Sequence, residues 1–252
     1  MLPTPPISPN GPDQRDVDQL RADILSAISH ELRTPLASIK GYATALLLDE
    51  VEWDEAHRRE FLHCIDEECD KLEEIVRDFL DAARIEAGRL EIEFQPVMLE
   101  RLVQAEVETV SHSTTIHRFV LDFPPGFPLV DADPLRIGQV LHNLLDNAVK
   151  YSPQGGLVVV RGVVQDEQVV VSVSDQGVGI APQDLSQLFD HFFRVKTPTG
   201  HHVAGSGLGL PISQSIVESH SGRIWAESQV GQGTTLYFSL PRLGLSDQAD
   251  NE

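Results

Sequence analysis

The amino-acid sequence predicts a chain of two parts, an antiparallel hairpin of two long helices followed by a two-layer α+β domain. The first observation is a pattern of apolar residues spaced three or four apart, which continues with one interruption from Asp16 to about Glu86. The second is a change after Gly88 to short β-rich runs, such as "QVVVSVSD", that alternate with helical patterns. A length of 252 residues accommodates two such cores.

The first part is predicted to contain two helices joined by the short acidic segment "DEVEWDE". The first helix extends from Asp16 to about Asp49, with an apolar stripe of Val17, Leu20, Ile24, Ile28 and Leu32. The second extends from about Ala56 to Glu86, with a stripe of Phe61, Ile65, Leu72, Ile75, Val76, Phe79, Leu80 and Ala83. A short connection requires the helices to lie antiparallel, and one stripe per helix leaves apolar surface uncovered. We therefore expect two copies to form a four-helix bundle, and Gly88 to end the second helix.

The second part alternates strands and helices. Its predicted strands are "RLEIEF", "HRFVLDF", "GGLVVVRGVV", "QVVVSVSD", "GRIWAES" and "TTLYFSL". Its predicted helices cover about Leu99 to Val110, the segment after the Asp/Pro start of "DADPLRIGQVLHNLLDNAVKYSP", and about Leu208 to Ser221. Strands on one face and helices on the other give two layers.

We expect four segments along the chain. Residues 1–15 are predicted to be a Pro-rich linker or disordered start, and 16–88 the helical hairpin. Residues 89–241 are the predicted α+β domain, and 242–252 a disordered acidic tail.

The composition excludes several classes of partner. A formal net charge of −20 disfavours binding to nucleic acid or anionic lipid, because both need a basic surface. The two cysteines, Cys64 and Cys69, are too few for a disulfide framework and indicate a reducing compartment. The sequence has no long apolar run and no signal peptide, so we expect no direct membrane contact.

A histidine followed by a proline marks the first helix, in "SHELRTPLASIKG". His30 falls roughly 150° from the centre of the apolar stripe and is predicted to face outward. Pro35 has no N–H for the carbonyl of Glu31, so we expect a kink that costs about 3 kcal/mol. Taken alone, these residues are equally compatible with a surface histidine and an incidental kink.

The seven residues "HELRTPL", His30 to Leu36, resemble the phosphoacceptor motif of sensor histidine kinases. Such chemistry requires a neutral histidine with one ring nitrogen free to attack phosphorus. Glu31 is the candidate acceptor for the N–H of the other ring nitrogen. The resemblance implies that Thr34 positions the water that dephosphorylates a partner's phospho-aspartate, although Thr34 is also compatible with an ordinary helical threonine.

Four polar residues share one face of the helix in "HNLLDNAVKYS": Asn143, Asn147, Lys150 and Tyr151. Neutral oxygen ligands suit Mg²⁺, which takes its remaining ligands from water and phosphate. The pattern resembles the asparagine box of the same family. This resemblance implies that Asn147 is the central Mg²⁺ ligand, that Asn143 supports it, and that Lys150 contacts phosphate. Without the resemblance, a solvent-facing amphipathic helix is the better interpretation.

The segment "SDQGVGI" places Asp175 at a strand end, followed by Gly177 and Gly179. A carboxylate accepts a hydrogen bond from the exocyclic amine of adenine, and glycines allow the backbone to approach a flat base. Alone the pattern is weak, because turns after strands often contain these residues.

A second Gly-rich segment, "GSGLGLPIS", leads into a helix through Gly205, Gly207, Leu208 and Gly209. Its backbone N–H groups and helix dipole favour phosphate binding. A Rossmann site is excluded because no strand immediately precedes these glycines.

Between the two Gly-rich segments, "LFDHFFRVKTPTGHHVA" is long and polar, as in a mobile lid. Phe189, with Phe192 and Phe193, resembles the phenylalanine box that anchors such lids. Arg194 is predicted to reach the γ-phosphate. Lys196 departs from the acidic residue of many relatives, and His201 and His202 lack a third ligand for a metal site.

Taken in order, these motifs resemble the Bergerat ATP-binding fold, and the preceding histidine hairpin distinguishes histidine kinases from its other families. The resemblance implies a protein-histidine kinase that uses ATP and Mg²⁺ to phosphorylate His30. It also implies a homodimer, transfer to an aspartate in a response-regulator receiver domain, and phosphatase activity on that regulator. We expect a cytoplasmic location, free or as part of a membrane-anchored sensor. The alternatives are an ATPase that drives only conformational change, and a scaffold without chemistry.

Overall fold

The computed structural model describes residues 14–48, 51–194 and 206–243, with the backbone alone for 14–28 and His30. The chain divides into two compact units between Phe79 and Leu80. Residues 1–13 of the Pro-rich start and the acidic tail from residue 244 onward lie outside the described residues, and the segment boundaries stay predictions. Among the helices that the structure describes, none is both long enough and apolar enough to cross a bilayer.

The first unit is built from two helices, α1 (Gln14–Leu46) and α2 (Glu55–Glu86). Asp54 caps α2, because its Oδ1 accepts the N–H of His57 at 2.8 Å. The end of α1 packs against the start of α2. The Trp53 indole N–H donates to the carbonyl of Ala45 at 2.9 Å, and the Trp53 ring lies 4.8 Å from the ring of Phe61. The helices are therefore antiparallel, as predicted.

Pro35 lies inside α1 and is buried. The helix continues on both sides of it, so the missing N–H removes one backbone hydrogen bond without ending the helix. The helix α2 ends at Glu86, and Gly88 forms the turn that terminates it, as predicted. Gly88 has φ +63°, the N–H of Arg89 donates to Arg84 at 2.8 Å, and the N–H of Gly88 donates to Ile85 at 2.9 Å. This pair of bonds is a Schellman motif, and the last turns of α2 belong to the second unit.

The second unit contains two sheets. The small one pairs β1 (Gln95–Val97) with β3 (Val130–Ala132), and the large one has the order β2-β4-β5-β7-β6. The strands of the large sheet are β2 (His117–Asp122), β4 (Gly156–Gln165), β5 (Gln168–Ser174), β6 (Arg223–Gln229) and β7 (Gly233–Pro241). Among these five strands, β2 and β4 pair in parallel and the other neighbours pair antiparallel. The predicted strand over residues 89–94 is wrong, because pairing begins at Gln95.

The described part of the second unit also contains four helices: α3 (Leu99–Ser111), α4 (Pro134–Lys150), α5 (Pro182–Leu185) and α6 (Gly209–Ser219). The Asp133 carboxylate caps α4 by accepting the N–H groups of Leu135 and Arg136 at 2.9 and 3.1 Å. The shared core consists of apolar side chains from one face of the sheet and from the helices, among them Ile137, Leu141, Leu144, Leu145, Val169, Val171, Val173, Ile216, Leu236, Phe238 and Leu240. Each such burial contributes roughly 1.5–3 kcal/mol. The predicted two-layer architecture is confirmed.

Candidate active site

Asp175 follows the end of β5 and has one oxygen already committed to the backbone. Its Oδ1 accepts the N–H of Gly177 at 2.7 Å and the N–H of Thr234 at 3.2 Å. No hydrogen bond from the described residues reaches its Oδ2. Burial raises the pKa of Asp175, and the two N–H groups and the nearby Ser152 hydroxyl partly offset that rise. The carboxylate is therefore held in one orientation, with Oδ2 left to accept from a donor such as an amine.

The glycines after Asp175 are required by the packing of the backbone itself. A Cβ on Gly177 would overlap the carbonyl oxygen of Tyr151 and lie 2.8 Å from both Asp175 Oδ1 and Ser152 Oγ. Gly179 has φ +67°, a conformation that side chains other than glycine rarely adopt. These two positions thus admit only glycine, and they leave the wall beside Asp175 made of backbone atoms.

The two asparagines of α4 differ in their contacts. Asn143 Nδ2 donates to the carbonyl of Gly209 at 3.1 Å and to Ser213 Oγ at 3.2 Å, which ties α4 to the start of α6. Asn147 is half-buried, and its side-chain amide has no hydrogen-bond partner within the part of the chain that the structure describes. A neutral amide oxygen of this kind fits Mg²⁺. The metal roles of Asn143 and Asn147 stay predictions.

Cationic groups lie near the end of α4. Lys150 pairs with Asp146 one helical turn earlier, a partner that the sequence analysis did not identify. Burial raises the pKa of Tyr151, the C-cap residue of α4, while the charges of Arg194 and Lys150 oppose that rise. Arg194, Lys150 and Asp146 thus all lie close enough to Tyr151 to act on it. The two cations suit phosphate, and Asp146 offsets part of their charge.

Phe192, inside the predicted lid, and Gly207, just after it, are joined by backbone contacts. The N–H of Phe192 donates to the carbonyl of Gly207 at 3.0 Å, and a Cβ on Gly207 would lie 2.9 Å from Phe192 Cα. Phe189 packs half-buried against the core. Gly205, Lys196, His201 and His202 lie outside the described residues.

The helix α6 begins at Gly209 immediately after the buried Leu208, as the Gly-rich motif predicted. Leu208 provides no side-chain cap, so the side chain at this position satisfies none of the first backbone N–H groups of α6. Such N–H groups, with the helix dipole, form an anion-binding end.

The phosphoacceptor segment lies on α1 in the first unit. The side chain of His30 lies outside the description, Glu31 is half-buried, and Thr34 is exposed. Their predicted roles in phosphoryl transfer stay predictions.

Sequence reasoning missed Ser152, Ser213 and Thr234. Ser152 and Thr234 flank Asp175 but come from the end of α4 and the start of β7, and nothing in the local pattern marks them as buried. Ser213 is completely buried, and the one sequence signal for this was its spacing of three and four residues from the apolar Ile216 and Val217.

Two protein-family models match the chain. Residues 20–88 match the His Kinase A (phospho-acceptor) domain, and residues 132–244 match the histidine kinase-, DNA gyrase B-, and HSP90-like ATPase. The first range contains His30, and the second contains every predicted nucleotide-site residue from Asn143 to Gly209.

Known proteins resemble this chain over most of its length. It is 33% identical over 233 residues to the sensor histidine kinase WalK of Bacillus subtilis, which covers 91% of this chain and 38% of that protein. Full-length ShkA, solved in complex with AMPPNP, matches with a TM-score of 0.63 and 30% identity, over 86% of this chain and 45% of that one.

The histidine kinase ThkA, solved in complex with the response regulator protein TrrA, matches with a TM-score of 0.66. Its identity is 24%, over 90% of this chain and 64% of that one, and the likeness shows a shared fold. The chain thus spans less than two thirds of each of these three relatives.

Proposed function

The chain belongs to the histidine kinase family, and from that premise we propose that it is the catalytic core of a dimeric sensor histidine kinase. It transfers the γ-phosphoryl group of ATP to His30 and then to an aspartate of a response-regulator receiver domain. The observation that carries this proposal is the Asp175 carboxylate, whose Oδ1 is fixed by two backbone N–H groups while Oδ2 remains available to the adenine amine.

The nucleotide is held at both of its ends. Asp175 accepts from the amine of the base, and the walls formed by Gly177 and Gly179 allow close approach to the ring. Lys150 and Arg194 offset the negative charge of the phosphates, and the start of α6 adds backbone N–H donors. Asn147, with support from Asn143, would hold Mg²⁺, which when bound reduces the charge on the phosphate oxygens.

The transfer exchanges one bond for another. A ring nitrogen of His30 attacks the γ-phosphorus, the bond from that phosphorus to its bridging oxygen breaks, and ADP leaves. Glu31 accepts the N–H of the other ring nitrogen and stabilises the positive charge that develops on the imidazole. Most of the rate enhancement is expected from holding donor and acceptor in line.

Exposed apolar side chains on the hairpin support the dimer. Val76 is 46% exposed and Leu80 is 48% exposed, although both lie on the predicted apolar stripe of α2. Leu36, one helical turn after Leu32, is 58% exposed. A second copy of the hairpin would cover them, as in a four-helix bundle.

The response regulator is the proposed partner of the same hairpin. Support comes from the ThkA relative, which was solved with a response regulator, and from the exposure of Thr34 beside His30. On this proposal Thr34 positions the water that dephosphorylates the regulator. The use of ATP places the proposed reaction in the cytoplasm.

Incubation of the chain with γ-labelled ATP and Mg²⁺ tests the proposal. We expect label that is acid-labile and base-stable, that is absent in His30→Gln and Asn147→Ala, and that persists in the control His63→Gln, whose side chain is 74% exposed on α2. Label retained in His30→Gln would overturn the acceptor assignment. ATP hydrolysis without label would indicate a conformational ATPase, and absence of ATP binding would indicate a scaffold.

A further inference from the structure

Ser152 carries a buried hydroxyl that the fold does not use. The residue is 2% exposed, and within the described ranges its Oγ has no hydrogen-bond partner. Buried polar side chains are nearly always hydrogen-bonded, because an unpaired one loses its interactions with water and gains nothing in return. Ser152 Oγ is the one such exception among the residues that the structure describes, and its place beside a candidate binding site points to a role in that site.

The backbone of Ser152 is fixed on both sides. Its N–H donates to the carbonyl of Val149 at 3.2 Å, and its own carbonyl accepts from the N–H of Gly155 at 2.8 Å. The same carbonyl lies 3.0 Å from Nε2 of His117. The remaining freedom of the side chain is rotation about χ1 among three staggered positions, so Oγ cannot move far from its present surroundings.

The Ser152 hydroxyl lies beside the carboxylate of Asp175. The position that a Cβ on Gly177 would occupy is 2.8 Å from Ser152 Oγ and 2.8 Å from Asp175 Oδ1, so the two oxygens line the same small space. The effect of the hydroxyl on the carboxylate agrees with this placement, because it lowers the pKa of Asp175 against the rise caused by burial. Gly177 has no side chain, which leaves the space between the two oxygens open.

We propose that Ser152 is a positioning residue that determines base specificity: when nucleotide binds, its hydroxyl rotates about χ1 to donate to Asp175 and fixes Oδ2 as the acceptor for the 6-amino group of adenine. The inference rests on the proposed function and extends it to the choice of base. The hydroxyl and two backbone N–H groups occupy one side of the Asp175 carboxylate, so Oδ2 is the one oxygen left to accept from the base. A base with a carbonyl oxygen at this position presents an acceptor to an acceptor and is rejected.

This role is tested by measuring equilibrium Kd values for the full chain while one group is changed on the protein and one on the nucleotide. The protein change is Ser152→Ala, and the ligand change replaces ATP by purine riboside triphosphate, which lacks the 6-amino group. We expect Ser152→Ala to weaken the binding of ATP by roughly three- to tenfold, the usual effect of losing one hydrogen bond. For purine riboside triphosphate we expect Ser152→Ala to change the affinity by less than about twofold, because Ser152 acts through the amine that this ligand lacks.

Two variants separate positioning from structure. Ser152→Thr keeps a hydroxyl and is expected to retain ATP affinity within about twofold, and Ser172→Ala, a buried serine in the middle of β5, is expected to change neither affinity. Equal weakening of both nucleotides in Ser152→Ala, or no weakening of ATP, would overturn the inference. ATP binding by the wild type without labelling of His30 would instead contradict the kinase proposal. The binding test of Ser152 would remain valid in that case.

Discussion

Asp175→Asn replaces one carboxylate oxygen of the nucleotide site by an amide nitrogen. Because Oδ1 accepts backbone N–H groups from Gly177 and Thr234 at 2.7 and 3.2 Å, the asparagine must keep its own oxygen on that side. The opposite rotamer would place two donors against two donors. Its Nδ2 therefore takes the place of Oδ2 and presents N–H donors to the amine of adenine, which is itself a donor.

The expected loss follows from the interaction removed. A hydrogen bond to a charged group contributes about 1.5–3 kcal/mol, which corresponds to a roughly ten- to hundredfold rise in the Kd for ATP. Stability should not fall with it. Burial raises the pKa of Asp175, which means that the folded state disfavours the ionised carboxylate, and a neutral amide avoids that cost.

Calorimetric titration with ATP and Mg²⁺ near neutral pH measures the change, and thermal unfolding monitors stability. The matched control is Asp166→Asn, which removes one charge at the exposed turn between β4 and β5. A Kd for ATP within about threefold of wild type in Asp175→Asn would refute the assignment of Asp175 as the base acceptor.

The same group predicts a pH dependence. The folded-state pKa of Asp175 is raised, so on acidification it takes up a proton at higher pH than an unperturbed aspartate of pKa about 3.9. ATP affinity should therefore fall as the pH drops through the raised value, and Asp175→Asn should lack this component. For stability the sign is opposite. The folded state binds the proton more tightly, so this group favours folding below its ordinary pKa and loses that contribution as the pH rises through the raised pKa.

Three further substitutions test other parts of the account. Gly177→Ala puts a Cβ onto the carbonyl oxygen of Tyr151 and 2.8 Å from two further oxygens, so it should cost about 1–3 kcal/mol in unfolding free energy and weaken ATP binding. Gly126→Ala, with nothing within 4 Å of its Cβ, should leave ATP affinity unchanged, and equal ATP affinities in the two variants would count against the proposed nucleotide site. Asp81→Ala removes the buried carboxylate 2.9 Å from the Arg136 guanidinium and should lower the unfolding free energy of the second unit by about 3 kcal/mol in denaturant titrations. Adding Arg136→Ala should cost less than the sum of the two single changes, and strict additivity would contradict a direct ion pair. Pro35→Ala restores a backbone donor inside α1 and should shift the ratio of autophosphorylation to phosphatase activity, and an unchanged ratio would show that the proline has no part in it.

Long periodic elements were predictable because their signals are local. The start of α4 was evident from an N-capping aspartate followed by a proline, and both long helices of the hairpin followed from apolar spacing. The alternation in "RLEIEF" indicated a strand, but a strand needs a partner, and the partner β3 is only three residues long. Residues 89–94 instead contact the core and the cap. Leu90 packs against the core, and the N–H of Glu93 donates to Asp133 at 3.0 Å.

Motif order predicts which residues form the candidate site, whereas it does not predict their hydrogen-bond partners. Asn143 and Ser213 are separated by 70 positions in the chain, and Asp175 and Thr234 by 59. No local pattern encodes such contacts, because they depend on how α4, α6 and the sheet pack. The same reason hid the burial of Ser152, which follows the end of a helix and precedes a turn in the sequence.

Localisation of the phosphoryl group tests the central claim most directly. The full chain is incubated with ATP and Mg²⁺, kept at neutral to alkaline pH because phosphohistidine is acid-labile, and mapped by mass spectrometry of its peptides. The proposed kinase reaction predicts a single phosphoryl group on the peptide that contains His30, and its absence in the Asn147→Ala variant. A phosphoryl group on any other residue, or an unmodified His30 in a chain that binds ATP, would contradict it.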